Sequence, residues 1–115
     1  MDRILVINND FDTMTLLKDL LEKQSYQVKY TSSGDESLQV AKAFAPDLLL
    51  VDVLQQNCIE DLKKNSSTAD IPIILMTGYS SNDKAIEADV EAIIEKPFLL
   101  KQLQEIIQGA LAKVK

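Results

Sequence analysis

One carboxylate of this chain stands where a charge is hard to keep. Asp52 lies inside the run Leu48-Leu49-Leu50-Val51-Asp52-Val53-Leu54, where an unpaired charge would cost several kcal/mol. Something has to compensate it, and the ammonium group of Lys96, in Glu95-Lys96-Pro97, is the natural candidate. A lysine-aspartate pair kept for structure alone is the plainer reading, although buried pairs favour stability only weakly. Two more polar groups follow apolar runs in the same way: Asn8-Asn9-Asp10 after Arg3 to Ile7, and Thr77-Gly78 after Ile73 to Met76. Histidine is absent, which removes the commonest general base and the commonest transition-metal ligand. Cys58 stands alone, so neither an internal disulfide nor a cysteine metal cluster can form. Serine-histidine hydrolases, zinc enzymes and histidine nucleophiles are excluded on these grounds.

Short runs of branched apolar residues alternate with stretches of helical period, the pattern of a parallel sheet built from strand-helix units. Five units are expected. A strand over Arg3 to Ile7 precedes a helix from about Asp12 to Lys23, with Met14, Leu17, Leu20 and Leu21 on one face and Asp12 as N-cap. Tyr26, Val28 and Tyr30 alternate with polar residues, as in a half-buried strand near the sheet edge. Ser33 and Glu36 form a capping-box signature for a helix that carries Leu38, Ala41 and Ala45 inward and ends at Pro46. Leu48 to Val53 reads as the central strand, covered on both faces. Ile59 and Leu62 hint at a short helix, and Asn65-Ser66-Ser67-Thr68 reads as a polar, mobile loop. Strands over Ile73 to Met76 and Ala92 to Glu95 flank a brief helix over Asn82 to Asp89. A final helix from near Leu100 places Leu103, Ile106, Ile107, Ala110, Leu111 and Val114 at spacings of three and four.

In an open parallel sheet the strands end on one edge, and ligands bind in the crevice outside those carboxyl ends. Asp52, Thr77, Lys96 and the Asn8 to Asp10 trio would then share one pocket. Taken singly, such residues at strand ends are mostly caps and turn formers, and that reading is kept for Asp10 and Asp12.

Asp52, Thr77-Gly78 and Lys96-Pro97-Phe98, in this order along the whole chain, resemble the receiver domain of bacterial two-component response regulators. The strand sequences Arg3-Ile4-Leu5-Val6-Ile7, Pro46-Asp47-Leu48-Leu49-Leu50-Val51-Asp52 and Ile71-Pro72-Ile73-Ile74-Leu75-Met76-Thr77 look like those of the family. The resemblance implies a three-layer α/β fold: a doubly wound, flavodoxin-like (CheY-like) five-stranded parallel sheet of strand order 2-1-3-4-5, one receiver domain over residues 1–115. It implies a phosphorelay role in which Asp52 accepts a phosphoryl group from a histidine kinase or histidine phosphotransfer protein and passes a signal to a downstream effector. Lys96 would pair with Asp52 and then with a phosphoryl oxygen, Thr77 would donate its hydroxyl, and Gly78 would leave room. The family's lysine-proline bond is cis, which is the expectation for Lys96-Pro97. A carboxylate attacking phosphorus brings anion to anion, so catalysis there is chiefly positioning and charge neutralisation.

The sequence also departs from the family. Receivers carry two acidic residues after the first strand that help hold Mg²⁺, and here those positions are Asn8 and Asn9. The family's metal ligands map to Asn9, Asp52 and the main chain of Leu54, with Asn8 and Asp10 nearby. Two unit charges about 4 Å apart at an effective dielectric near 20 are worth roughly 4 kcal/mol, and about double that against a dication. Mg²⁺ binding is therefore expected to be weak or absent, with Asp10 a partial substitute only if it turns inward. The loop after Asp52 is short, and Ile93 stands where the family carries the aromatic residue of its switch. The alternative is a pseudo-receiver, an interaction module that keeps the fold without phosphoryl chemistry.

The broader bounds agree. With 115 residues, 46% hydrophobic and 26% charged, the chain suits one globular domain, and its longest aliphatic runs are too short to cross a bilayer. No export signal opens it, so a cytoplasmic protein is expected. Twelve basic against eighteen acidic residues give a net charge of −6, which argues against direct nucleic-acid binding. Asp10-Phe11-Asp12 looks like the aspartate pair of haloacid-dehalogenase phosphatases, but Met14 fills the small-residue position and no later acidic pair follows. The loop Asn8 to Thr13 has no glycine for a flavin phosphate. A phosphoacceptor rather than an enzyme is expected.

Overall fold

The computed structural model describes residues 2–8, 10–32, 36–53, 57–77, 90–95 and 98–114. In chain order these form β1 (Arg3–Ile7), α1 (Phe11–Glu22), β2 (Gln27–Thr31), α2 (Ser37–Phe44), β3 (Leu48–Asp52), α3 (Asn57–Lys64), β4 (Ile73–Thr77), β5 (Ala92–Glu95) and α4 (Leu100–Val114). The five strands make one parallel sheet of order β2-β1-β3-β4-β5. The parallel sheet expected from the alternating pattern, and the doubly wound, flavodoxin-like strand order that the resemblance implies, are the observed ones. The helix expected over 82–89 lies outside the described residues.

Side chains on a strand point alternately to its two faces, so each central strand feeds two cores. Ile4, Val6, Leu48, Leu50, Ile74 and Met76 pack with Met14, Leu17 and Leu21 of α1 and Leu103 and Ile107 of α4. On the other face Leu5, Ile7, Leu49, Val51, Ile73 and Leu75 meet Ala41 of α2 and Cys58, Ile59 and Leu62 of α3. Every residue of β3 and β4 is buried, which is why their sequences are nearly continuous apolar runs. The edge strand β2 is different: Val28 is half-buried while Gln27, Lys29 and Tyr30 are exposed, so Tyr30, expected to be half-buried with Val28, lies in solvent.

Local hydrogen bonding moves several boundaries from their sequence-based positions. Helix α1 begins at Phe11, with Asp10 rather than Asp12 as N-cap; the Asp10 carboxylate accepts from the Asp12 N–H and the Thr13 hydroxyl. Helix α2 begins at Ser37 with Glu36 at the N-cap position and no side-chain cap bond. The expected box needed Glu36 inside the first turn; its partner Ser33 lies outside the described residues. Ala45, expected to point inward, is exposed because it ends α2 in the left-handed conformation (φ 51°, ψ 62°), its N–H donating to Ala41 O at 2.9 Å. Residues 65–70 form a bonded turn: Asn65 Oδ1 accepts from the N–H and hydroxyl of Ser67, and the buried Thr68 hydroxyl donates to Leu62 O at 2.6 Å.

Candidate functional site at the carboxyl edge of the sheet

Strand register places the candidate residues. β1 and β3 pair so that Ile7 lies level with Val51, and the Asn8 N–H continues the ladder on the other side by donating to Thr31 O at 3.1 Å. Asn8 is therefore level with Asp52 on the neighbouring strand. Both follow the alternation of Ile4 and Val6 and of Leu48 and Leu50, so their side chains leave the same face of the sheet. On the next strand Asp52 is level with Met76, and Thr77 stands one residue further along. β5 closes the series, with Glu95 level with Thr77.

Asn8, Asp52 and Thr77 thus occupy three adjacent strand ends, and all three are buried, at 1%, 4% and 3% exposure. Asp52 is not without a partner in this setting, as a buried carboxylate requires. Lys96, Pro97, Gly78, Asn9 and Leu54 lie outside the described residues, and with them the expected Lys96 to Asp52 pairing and the cis peptide bond.

The turn after β1 is built by side chains. Asn8 Oδ1 accepts the Asp10 N–H at 2.8 Å. This bond fixes the amide orientation, because only the oxygen can face a donor. The other end, Nδ2, is buried and has no hydrogen-bond partner among the described residues. Asp10 is exposed and spends its carboxylate on the helix N-terminus, so it does not take the inward position that metal substitution would need.

Mg²⁺ favours several hard, anionic oxygens. Asp52 is the one buried carboxylate at the edge among the described residues, the Asn8 oxygen already holds a backbone N–H, and Nδ2 cannot ligate a cation. No group of three His, Cys, Asp or Glu side chains comes together among the described residues.

The rim is apolar on the side of α1 and α4. Phe11, the first residue of α1, is 67% exposed, and Leu99, just before α4, is 72% exposed. Sequence reasoning passed over both, and over the side-chain-bonded turn at Asn8, for which the signal was the Asn-x-Asp spacing.

A family model for the response regulator receiver domain matches residues 4–108. The chain belongs to the response regulator receiver domain family. This receiver is 33% identical over 115 residues to the transcriptional regulatory protein ZraR of Klebsiella oxytoca, an alignment covering 95% of the chain and 26% of that relative. The receiver therefore spans about a quarter of that protein's length. Among solved structures, the signal receiver domain of a signal transduction histidine kinase from Syntrophus aciditrophicus superposes with a TM-score of 0.90 at 26% identity, covering 100% of this chain and 93% of the other. The receiver domain of a sensor histidine kinase from Pseudomonas aeruginosa PAO1 shares the fold, with a TM-score of 0.86 at 21% identity over 96% of this chain and 98% of that one. That protein has a magnesium ion coordinated in its active-site cleft. No helix among the described residues of this receiver is long and apolar enough to cross a membrane.

Proposed function

We propose that this receiver accepts a phosphoryl group on Asp52 from a phosphohistidine of a histidine kinase or phosphotransfer protein. The observation that carries the reading is the burial of the Asp52 carboxylate at the carboxyl end of the central strand, between Asn8 and Thr77 on the flanking strands. A carboxylate held there has a fixed direction of attack and little water to compete with it. In the transfer, the P–N bond of the donor breaks as a bond forms from a carboxylate oxygen to phosphorus. The bonding pair returns to the imidazole nitrogen, which takes a proton from water. Thr77 donates its hydroxyl to a phosphoryl oxygen, and Lys96, carried over from the motif order, supplies the positive charge. The protein is a phosphoacceptor that changes state rather than an enzyme that turns over a substrate.

The partner kinase approaches over the apolar rim that Phe11 and Leu99 leave exposed, and the phosphorylated domain engages a downstream effector. Nucleic acid is contacted by other parts of such an assembly, because the net charge of −6 repels a phosphate backbone. Magnesium, unlike in the Pseudomonas neighbour, binds weakly or not at all, since Asn8 brings no charge and its oxygen is already engaged.

Incubation with acetyl phosphate or a small phosphoramidate, followed by intact mass measurement, tests the reading. One phosphoryl increment on the wild type and none on Asp52→Asn is expected. Absence of any adduct, with and without Mg²⁺, would leave the pseudo-receiver as the correct description.

A further inference from the structure

We infer that Asn8 is a phosphoryl-binding residue, its Nδ2 donating a hydrogen bond to an oxygen of the phosphoryl group carried by Asp52. The inference rests on Asp52 being the phosphoacceptor and goes beyond it by assigning a role to a position where the family carries an acid. Four observations converge. Asn8 is 1% exposed, and its Nδ2 has no hydrogen-bond partner among the described residues. The Asp10 N–H, at 2.8 Å from Oδ1, leaves the nitrogen as the end that remains for a ligand. Asn8 and Asp52 are level on adjacent strands and leave the same face of the sheet. Strand neighbours so placed stand about 5 Å apart, a gap that a tetrahedral phosphoryl group on one can bridge to a donor on the other.

A buried donor left unpaired is costly, and a group held unpaired at a site where negative charge arrives is preorganised for that charge. The phosphoryl oxygens bring the acceptors that the resting site lacks. An amide donor answers part of that charge without a cation, so the transfer proceeds in a metal-free medium. The chemistry is unchanged: phosphorus passes from the donor's nitrogen to an Asp52 oxygen, and Asn8 contributes a hydrogen bond but no proton.

Two variants separate the donor from the turn it also supports. Asn8→Asp keeps an oxygen for the Asp10 N–H but loses the donor; Asn8→Leu loses the donor without adding charge. Phosphorylation by a phosphoramidate in EDTA is followed by intact mass, with melting temperature measured in parallel, and the Asn8 side-chain amide is followed by ¹⁵N NMR. The wild type is expected to form the adduct in EDTA, both variants to form it at least about tenfold more slowly, and the Asn8 amide protons to shift downfield on phosphorylation. Asn8→Asp should melt below the wild type, because it buries a second carboxylate beside Asp52, and Asn8→Leu is the variant that removes the donor without that charge. Wild-type rates in either variant, or an Asn8 amide unmoved by phosphorylation, would overturn the inference while leaving Asp52 as acceptor. A wild type modified only when Mg²⁺ is present would overturn it too. A wild type that takes no phosphoryl group under any condition would remove the underlying reading, and this inference with it.

Discussion

Arg3 and Asp47 are joined twice at the amino edge of the sheet: the Arg3 N–H donates to Asp47 Oδ2 at 2.8 Å, and the Asp47 N–H donates to Arg3 O at 2.8 Å. The Arg3 guanidinium adds a bond to Phe44 O at 2.9 Å and lies 5.8 Å from the Phe44 ring centroid. This clamp sits one residue before Ile4 pairs with Leu48, so it fixes the register that sets Asn8 level with Asp52 at the far edge. A one-residue slip would send every side chain of a strand to the opposite face. Asp47→Ala is expected to destabilise the domain by about 1 kcal/mol, the net worth of a typical hydrogen bond. Urea denaturation checks it.

Ala45 ends α2 with φ at 51°, a conformation that costs a residue with a Cβ about 1–2 kcal/mol and glycine almost nothing. Ala45→Gly should therefore stabilise the protein by up to about 1 kcal/mol, after the greater freedom of glycine in the unfolded chain is subtracted. An unchanged denaturation midpoint would contradict the assignment of strain.

Cys58 is buried beneath α2, and burial pushes its thiol above the ordinary range, partly offset by a hydrogen bond from Ser37. The sign follows from linkage. A folded state that holds this proton more tightly than the unfolded state loses stability as pH rises from the ordinary thiol value through the raised one. Below that window the contribution is fully present. Stability measured from neutral to alkaline pH should fall on that limb, and Cys58→Ala should flatten the fall. Alkylation of Cys58 at neutral pH should be slow until the protein is unfolded.

Thr77→Val keeps the volume of the side chain at the end of β4 and removes its hydroxyl. Phosphorylation of Asp52 should slow by at least about tenfold, as loss of one transition-state donor does elsewhere. Equal rates would show that the hydroxyl faces away from the phosphoryl group.

Calorimetric titration of the wild type with MgCl₂ should show no micromolar binding. The double variant Asn8→Asp with Asn9→Asp should bind at least about tenfold more tightly, because each restored carboxylate adds Coulombic attraction for the dication.

The strands and their order were legible because β1, β3 and β4 are buried on both faces and announce themselves as aliphatic runs. Asp52 was legible for the same reason, as the one charge embedded in such a run. The helix starts were not. Asp12 has the right residue type for an N-cap, yet Asn8 turns the chain two residues earlier through a side-chain bond that periodicity does not register. Ala45 fits the inward spacing of α2, but Pro46 forces the helix to end, and the end puts that methyl in solvent. Asx and hydroxyl bonds likewise turn the segment after α3, expected as a loose loop, into an ordered corner around Thr68. The unpaired Asn8 nitrogen could be found only from coordinates, since nothing in a residue type says which of its atoms lacks a partner.

The edge strand β2 carries Lys29 at its midpoint, exposed. A foreign strand seeking to extend the sheet along that border would have to strip water from an ammonium group, which natural β proteins use as a deterrent to fusion. Copies of the domain crowded together, as on tethered or multimeric assemblies, are thus discouraged from joining their sheets along the β2 border.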